Sequence, residues 1–139
     1  MLLFRFDLIE GRTEAELKTI LDAAHRAMLA AFKVPERDRF QIVHEHKRSQ
    51  MIIEDRGLGI ERSDKVVVVQ VTSRHQHQRS EKVAFYENLC EELERACGIS
   101  PSDVVVTIFD ISDDGWSLGL GRAQLIDLGS ATSRPVKPG

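Results

Sequence analysis

The sequence predicts an α+β fold: two tandem β-α-β units forming a four-stranded sheet with both helices on one face, plus a short hairpin. Three observations carry this prediction. The chain contains itself twice, each copy opens on a strand-like run, and apolar residues recur at helical spacing in one register in both copies. The loops Val34-Pro35-Glu36-Arg37-Asp38 and Ile99-Ser100-Pro101-Ser102-Asp103 reveal the step between copies, 65 positions, which carries Asp38 onto Asp103. The same step carries Ile20, Leu21, Ala24, Met28 and Ala31 onto Phe85, Tyr86, Leu89, Leu93 and Ala96. It also carries Leu2, Phe4 and Phe6 onto Val67, Val69 and Val71.

The first strand is expected near 2–9, where apolar residues alternate until Gly11 breaks the run. A helix follows near 13–32, with Thr13 as its cap and Glu16 in capping-box position. Val34-Pro35 turns the chain. Phe40–Glu45 and Met51–Ile53 read as two short strands of a hairpin around Lys47-Arg48-Ser49-Gln50, and Gly57 and Gly59 mark another turn. The second copy has a strand near 65–73, a helix near 80–97 capped by Ser80 and ended by Gly98, and a strand near 103–110. The continuous apolar run Val66–Val69 suits a central strand. Residues 1–128 are thus expected to form a single domain, with pseudo-repeats 1–45 and 65–110, and residues 129–139 a flexible tail. The sheet face away from the helices must pack on something, most simply on other copies of the chain, so an oligomer is expected.

Bulk properties narrow the function. At 139 residues, with 42% hydrophobic and 29% charged residues, the chain can bury a sizeable core. A net charge of −3 with scattered Lys and Arg argues against nucleic acid as a partner. No window reaches membrane-spanning length, and Arg5 and Asp7 interrupt the opening apolar run, so neither a membrane segment nor a signal peptide is expected. Cys90 and Cys97 lie seven residues apart on one helix, roughly 10.5 Å along its axis. That is too far for a disulfide, and a reducing cytoplasm is the expected setting.

Several short motifs recur in a telling order: Phe6-Asp7-Leu8-Ile9-Glu10-Gly11-Arg12-Thr13, Val34-Pro35 with Asp38-Arg39-Phe40-Gln41, Gly57-Leu58-Gly59-Ile60-Glu61-Arg62-Ser63, Gly98-Ile99-Ser100-Pro101-Ser102-Asp103, and Trp116-Ser117-Leu118-Gly119. Together they span residues 6–119 and resemble the tautomerase superfamily. The nearer likeness is to the branch containing malonate semialdehyde decarboxylase and cis-3-chloroacrylic acid dehalogenase. The resemblance implies a homotrimer with a pocket beside each amino terminus. In that family the initiator Met is removed and an amino-terminal proline does the chemistry, as a base in tautomerases and as an acid in dehalogenases and the decarboxylase. It further implies arginines that hold a substrate carboxylate and a later acid that can activate water.

This chain departs from that pattern at two places. Leu2 stands at the proline position, and its nitrogen in the chain is an amide. Initiator removal generally needs a small second residue, so Met1 is expected to remain and to carry the free amine one residue further out. An α-amine, which titrates near about 8, could act there as a base. The second departure follows the 65–73 strand. Arg74 matches the first family arginine, whereas His77 holds the place of the second, with Arg79 close enough to substitute. Asp38 matches the water-handling acid, although the turn alone also favours Asp there. Trp116 is expected to wall the pocket or pack the trimer seam.

The candidate catalytic positions are therefore Met1, Leu2 and Asp38, and the candidate substrate-binding residues Arg74, His77, Arg79 and Trp116. The expected ligand is a small carboxylate or 2-oxo acid, and no cofactor is expected. His44-Glu45-His46 and His75-Gln76-His77 have spacings that zinc sites use, but neither pair fixes a third ligand, so no metal is expected. Proline-type tautomerase activity should be weak or absent, with decarboxylation or hydration led by Asp38 and Arg74 as possible chemistry. A non-catalytic trimeric scaffold is the alternative.

Overall fold

The structure, a computed structural model, describes residues 1–74 and 77–127. It has four strands, β1 (Leu2–Ile9), β2 (Phe40–His46), β3 (Val67–Arg74) and β4 (Val104–Ile111), and two long helices, α1 (Glu14–Phe32) and α2 (Arg79–Cys97). The strands form one mixed sheet in the order β2-β1-β3-β4. Within each unit the pairing is parallel, and β1 joins β3 antiparallel through Leu2↔Ser73 to Leu8↔Val67. The repeat is carried through to the element bounds. A step of 65 moves Leu2–Ile9 onto Val67–Arg74 and Glu14–Phe32 onto Arg79–Cys97.

Alternation along β1 decides the layering. Leu2, Phe4, Phe6 and Leu8 are buried, as are Val67, Val69 and Val71 of β3. They meet Ile20, Ala24 and Met28 of α1 and Phe85, Leu89 and Leu93 of α2 in one cluster. Side chains of period two on a strand and period 3.6 on a helix permit this meeting. Phe85 is its hub, edge-on to Phe4 at 5.6 Å and tilted against Phe32 at 5.3 Å. Each such ring contributes about 2–3 kcal/mol by leaving water.

Both helices are capped by sequence. The Thr13 hydroxyl accepts from the Glu16 N–H at 3.1 Å, and the Glu16 carboxylate accepts from the Thr13 N–H at 3.0 Å. In α2 the cap is Gln78, in a capping box with Glu81, rather than Ser80, which lies inside the helix. Ser is the stronger cap type, but Gln78 is the repeat mate of Thr13 and so sits where the chain leaves extended geometry. Gly98 ends α2 in the left-handed region at φ 65°, donating back to Glu94 and Leu93.

The expected hairpin does not form. Phe40–His46 is the second strand of the first unit, paired parallel with β1, and Met51–Ile53 has no regular structure. The local apolar alternation suggested a neighbour across a tight turn, whereas the partner is β1 across α1. Arg48–Gln50 forms a single 3₁₀ turn instead. Cys90 and Cys97 are free thiols. Among the described residues no helix is long and apolar enough to cross a membrane. The expected tail at 129–139, and His75, lie outside the described residues.

Among the described residues neither long helix covers the other sheet face, where residues 115–118 wall a cavity over Leu3, Phe40 and Thr72. One row across this face reads Phe40, Leu3, Thr72, Phe109, and Phe109 is 59% exposed. Ile42, Val68 and Val105 add to the apolar surface, while Arg5, Asp7, Gln70 and Thr107 break it.

Candidate functional site at the chain start

The loop after α1 is held rigidly, which fixes Asp38. Lys33 caps the helix in the left-handed region, donating to the Leu29 carbonyl at 3.2 Å. The buried His25 ring pairs through Nε2 with the Glu36 carbonyl at 2.9 Å, and the Asp38 N–H donates to Pro35 at 2.9 Å. Next door, Arg39 donates to Asp22 at 2.7 Å and to Gln41 at 2.8 Å. Lys18 and Arg39 together pull the Asp22 carboxyl down to about 2, so this clamp stays ionised throughout the working pH range.

Asp38 faces the start of the chain. Its Oδ2 lies 3.0 Å from the Met1 α-amine, with both side chains only 12% exposed. Its Oδ1 is buried and has no partner among the described residues. Leu2 contributes no functional group here, because its side chain is fully buried in the core. Met1 is tied down from the other side by its carbonyl, which accepts from the Arg74 N–H at 3.1 Å.

The second copy supplies an internal comparison. Asp103 occupies the same turn, with its N–H on the Ser100 carbonyl at 2.9 Å as Asp38 has its own on Pro35. There, however, both carboxylate oxygens are satisfied by Ser63, from N–H at 2.7 Å and from Oγ at 2.5 Å. Val66 stands where Met1 stands, and its nitrogen is an amide donating to Ser63 at 3.2 Å. The turn and the Ser63 contacts together thus account for Asp103 fully, and the turn is matched at Asp38. It explains the backbone of Asp38 but not its unpartnered oxygen. A hollow of about 490 Å³ lies at this second end, lined by Arg12, Lys65, Glu16 and Cys97 among others. Unlike the chain start, it has no α-amine, since the Val66 nitrogen is an amide.

His77 is buried rather than looped into solvent. Its side chain is 5% exposed, its ring packs on Phe32 at 4.5 Å, and its Nε2 has no partner among the described residues. Burial pushes the imidazole below the usual histidine range, with the Met1 ammonium adding to that and Glu81, 4.0 Å away, opposing it. At neutral pH it is an uncharged hydrogen-bonding group.

Arg74 ends β3 with its guanidinium engaged. Nε donates to Asp113 Oδ1 at 2.6 Å and Nη2 to Oδ2 at 2.9 Å. This bond raises the arginine and lowers the aspartate from their ordinary values. Arg79 begins α2 with an exposed side chain. His44 and His46 share the open sheet face with Asp7, His46 Nε2 lying 2.7 Å from its carboxylate.

Beside Met1 lies a cavity of about 420 Å³ lined by Met1, Leu3, Phe40, Thr72, Ile111 and residues 115–118. Trp116 forms part of its wall, held by its indole N–H on the Ile111 carbonyl at 3.3 Å. The structure therefore brings Met1, Asp38 and Trp116 to one end of the sheet, with Arg74 one backbone hydrogen bond away. Asp113 carries no signal that sequence reasoning could have used. An Asp-Asp-Gly turn signals only a turn.

Comparison with known proteins shows the family. Two family models, each described as tautomerase enzyme, match residues 38–119 and 3–61. The chain is 49% identical over 126 residues to the probable tautomerase YrdN of Bacillus subtilis (strain 168), covering 91% of this chain and 97% of that protein. The chain belongs to the tautomerase superfamily. Within it, the likeness is to the malonate semialdehyde decarboxylase branch. A crystal structure of malonate semialdehyde decarboxylase, studied for its decarboxylase and hydratase activities, superposes with TM-score 0.87 at 49% identity, covering 91% of this chain and 98% of that one. A fused 4-OT asymmetric trimer, at 20% identity and TM-score 0.72 over 90% of this chain and 98% of that one, shares the fold.

Proposed function

We propose that the protein binds a small carboxylate that also carries a carbonyl, a 2-oxo or 3-oxo acid, beside Met1, and acts by decarboxylation or hydration. The observation that carries this reading is the Met1 amine 3.0 Å from Asp38, with the second Asp38 oxygen buried and unpartnered. An ammonium at this position would donate to a substrate carbonyl oxygen. In a 3-oxo acid the electrons of the C–C bond then move toward that oxygen, carbon dioxide leaves, and the enolate takes up a proton. In hydration, Asp38 would orient the attacking water and accept its proton. Proline-type tautomerisation is weak or absent in this reading, because the amine is primary, is paired with Asp38 and sits one residue beyond the family's position.

Arg74 is the carboxylate anchor, with uncharged His77 and Arg79 as secondary donors. The likeness to malonate semialdehyde decarboxylase supports 3-oxopropanoate as the first substrate to try. A homotrimer is part of the proposal, supported by the exposed apolar residues Phe40, Ile42 and Phe109 on the sheet face away from the helices and by the trimeric 4-OT protein of the same fold. A cytoplasmic setting accords with the two free thiols. One observation favours the non-catalytic alternative: the Arg74 fork is already filled by Asp113.

The test measures 3-oxopropanoate decarboxylation and phenylpyruvate enol–keto conversion, after intact mass has shown that the chain starts at Met1. Decarboxylation that is lost in Arg74→Ala is the expected result. Robust native phenylpyruvate turnover overturns the claim that the missing proline disables tautomerisation. No turnover, with no carboxylate binding, leaves the scaffold reading.

A further inference from the structure

We infer that Asp113 is an internal stand-in for the ligand carboxylate, and that a ligand taking the same Nε–Nη2 edge of Arg74 displaces it and thereby moves the Trp116 wall of the cavity. The inference rests on Arg74 being the anchor proposed above.

The geometry of the pair is that of ligand recognition. Both oxygens of one carboxylate meet one edge of the guanidinium, at 2.6 and 2.9 Å, the two-pronged arrangement by which arginine binds small carboxylates. A guanidinium edge so filled has no room for a second carboxylate in the same plane. Asp113 is also placed where its departure has consequences. It opens the 3₁₀ turn Asp113–Gly115, and Gly115, Trp116, Ser117 and Leu118 follow as one side of the cavity. Ile111, which pairs with Arg74 across β3 and β4 and accepts the indole N–H, lines the same cavity. The pair is partly solvent-exposed, 24% on the arginine and 38% on the aspartate, so exchange for a ligand of like chemistry is not blocked by burial. Asp114 supplies a neighbour of equal charge that is not on the fork, since it accepts from Ser112 instead.

Two consequences follow. Asp113 lowers the affinity for small carboxylates by competing for Arg74, and their binding is felt at Trp116, the single tryptophan of the chain. The experiment titrates propanoate and 2-oxobutanoate calorimetrically into wild type, Asp113→Asn, Asp114→Asn and Arg74→Gln, and follows Trp116 emission in parallel. Asp113→Asn is expected to tighten binding about five-fold, the scale of an exposed ion pair, and Asp114→Asn to change it less than two-fold. Trp116 emission should shift on binding in wild type and start from the shifted position in Asp113→Asn. Asp113→Ser carries the same expectation should the Asn form fail to fold. Equal effects of Asp113→Asn and Asp114→Asn reduce the result to net charge and overturn the inference, as does no effect of Asp113→Asn while Arg74→Gln abolishes binding. Binding that survives Arg74→Gln, or is absent from every form, overturns the anchor itself.

Discussion

Asp38→Asn tests the site most directly, because Asp103 provides a matched control in the same chain. At 3.0 Å the attraction between the Met1 ammonium and Asp38 is about 5.5 kcal/mol at an effective dielectric of about 20. Desolvation offsets most of it, and a terminal amine released by Asn can swing to water. The net stability loss is therefore about 1–2 kcal/mol, below the cost of breaking a pair locked inside a core. Asp103→Asn loses one of two charge-assisted bonds from Ser63 in a more buried place, about 1.5–3 kcal/mol. At this chain length each kcal/mol lowers Tm by about 3–4 °C. Activity should order the other way. Asp38→Asn removes the group that faces the amine, and 3-oxopropanoate decarboxylation should fall about 100-fold or more. Asp103→Asn should stay within about three-fold of wild type. Calorimetric melts and initial rates on the same samples decide it. Equal activity losses at the two positions, or an active and folded Asp38→Asn, would refute the assignment.

Three further outcomes are expected. Leu2→Pro in a chain lacking Met1 should gain phenylpyruvate tautomerase activity and lose about 1.5–3 kcal/mol in urea unfolding, because a fully buried leucine side chain leaves the core. His77 titrates lower folded than unfolded, so the unfolded chain binds more protons. Its contribution to stability is complete above about pH 6.5 and is lost as pH falls toward the folded value. Tm measured between about pH 5 and 8 should fall more steeply on the acid side for wild type than for His77→Asn. Gly115→Ala would drive a Cβ into Ile111 Cγ2 in the wall beside Trp116. It should cost about 1–3 kcal/mol through overpacking, read as a lower Tm, and alter Trp116 emission.

The repeat made most of the fold legible before any coordinates. It places β1, β3 and both helices, because the hydrophobic period that builds each element is written twice. Carried further, the same step would have corrected the misread parts. It moves Phe40 onto Val105 in β4, marking a parallel strand rather than half of a hairpin, and Thr13 onto Gln78, the observed cap. The site was legible only where the chain has a family counterpart. Met1 does meet Asp38 and shares a cavity wall with Trp116, but Asp113 reaches Arg74 from 39 positions away through a turn that no local pattern aims. Nor does sequence separate a buried His77 from an exposed one, since its burial comes from Phe32 at the end of the other helix.

At the two ends of this twofold scaffold the corresponding nitrogens differ, an ammonium at Met1 and an amide at Val66. The chemistry proposed here needs that backbone ammonium as well as the Asp38 side chain beside it. Any peptide joined ahead of Met1, a purification tag included, would silence the site while leaving every residue of it in place. A nick between Lys65 and Val66 would do the reverse, giving the second copy an ammonium of its own next to Asp103.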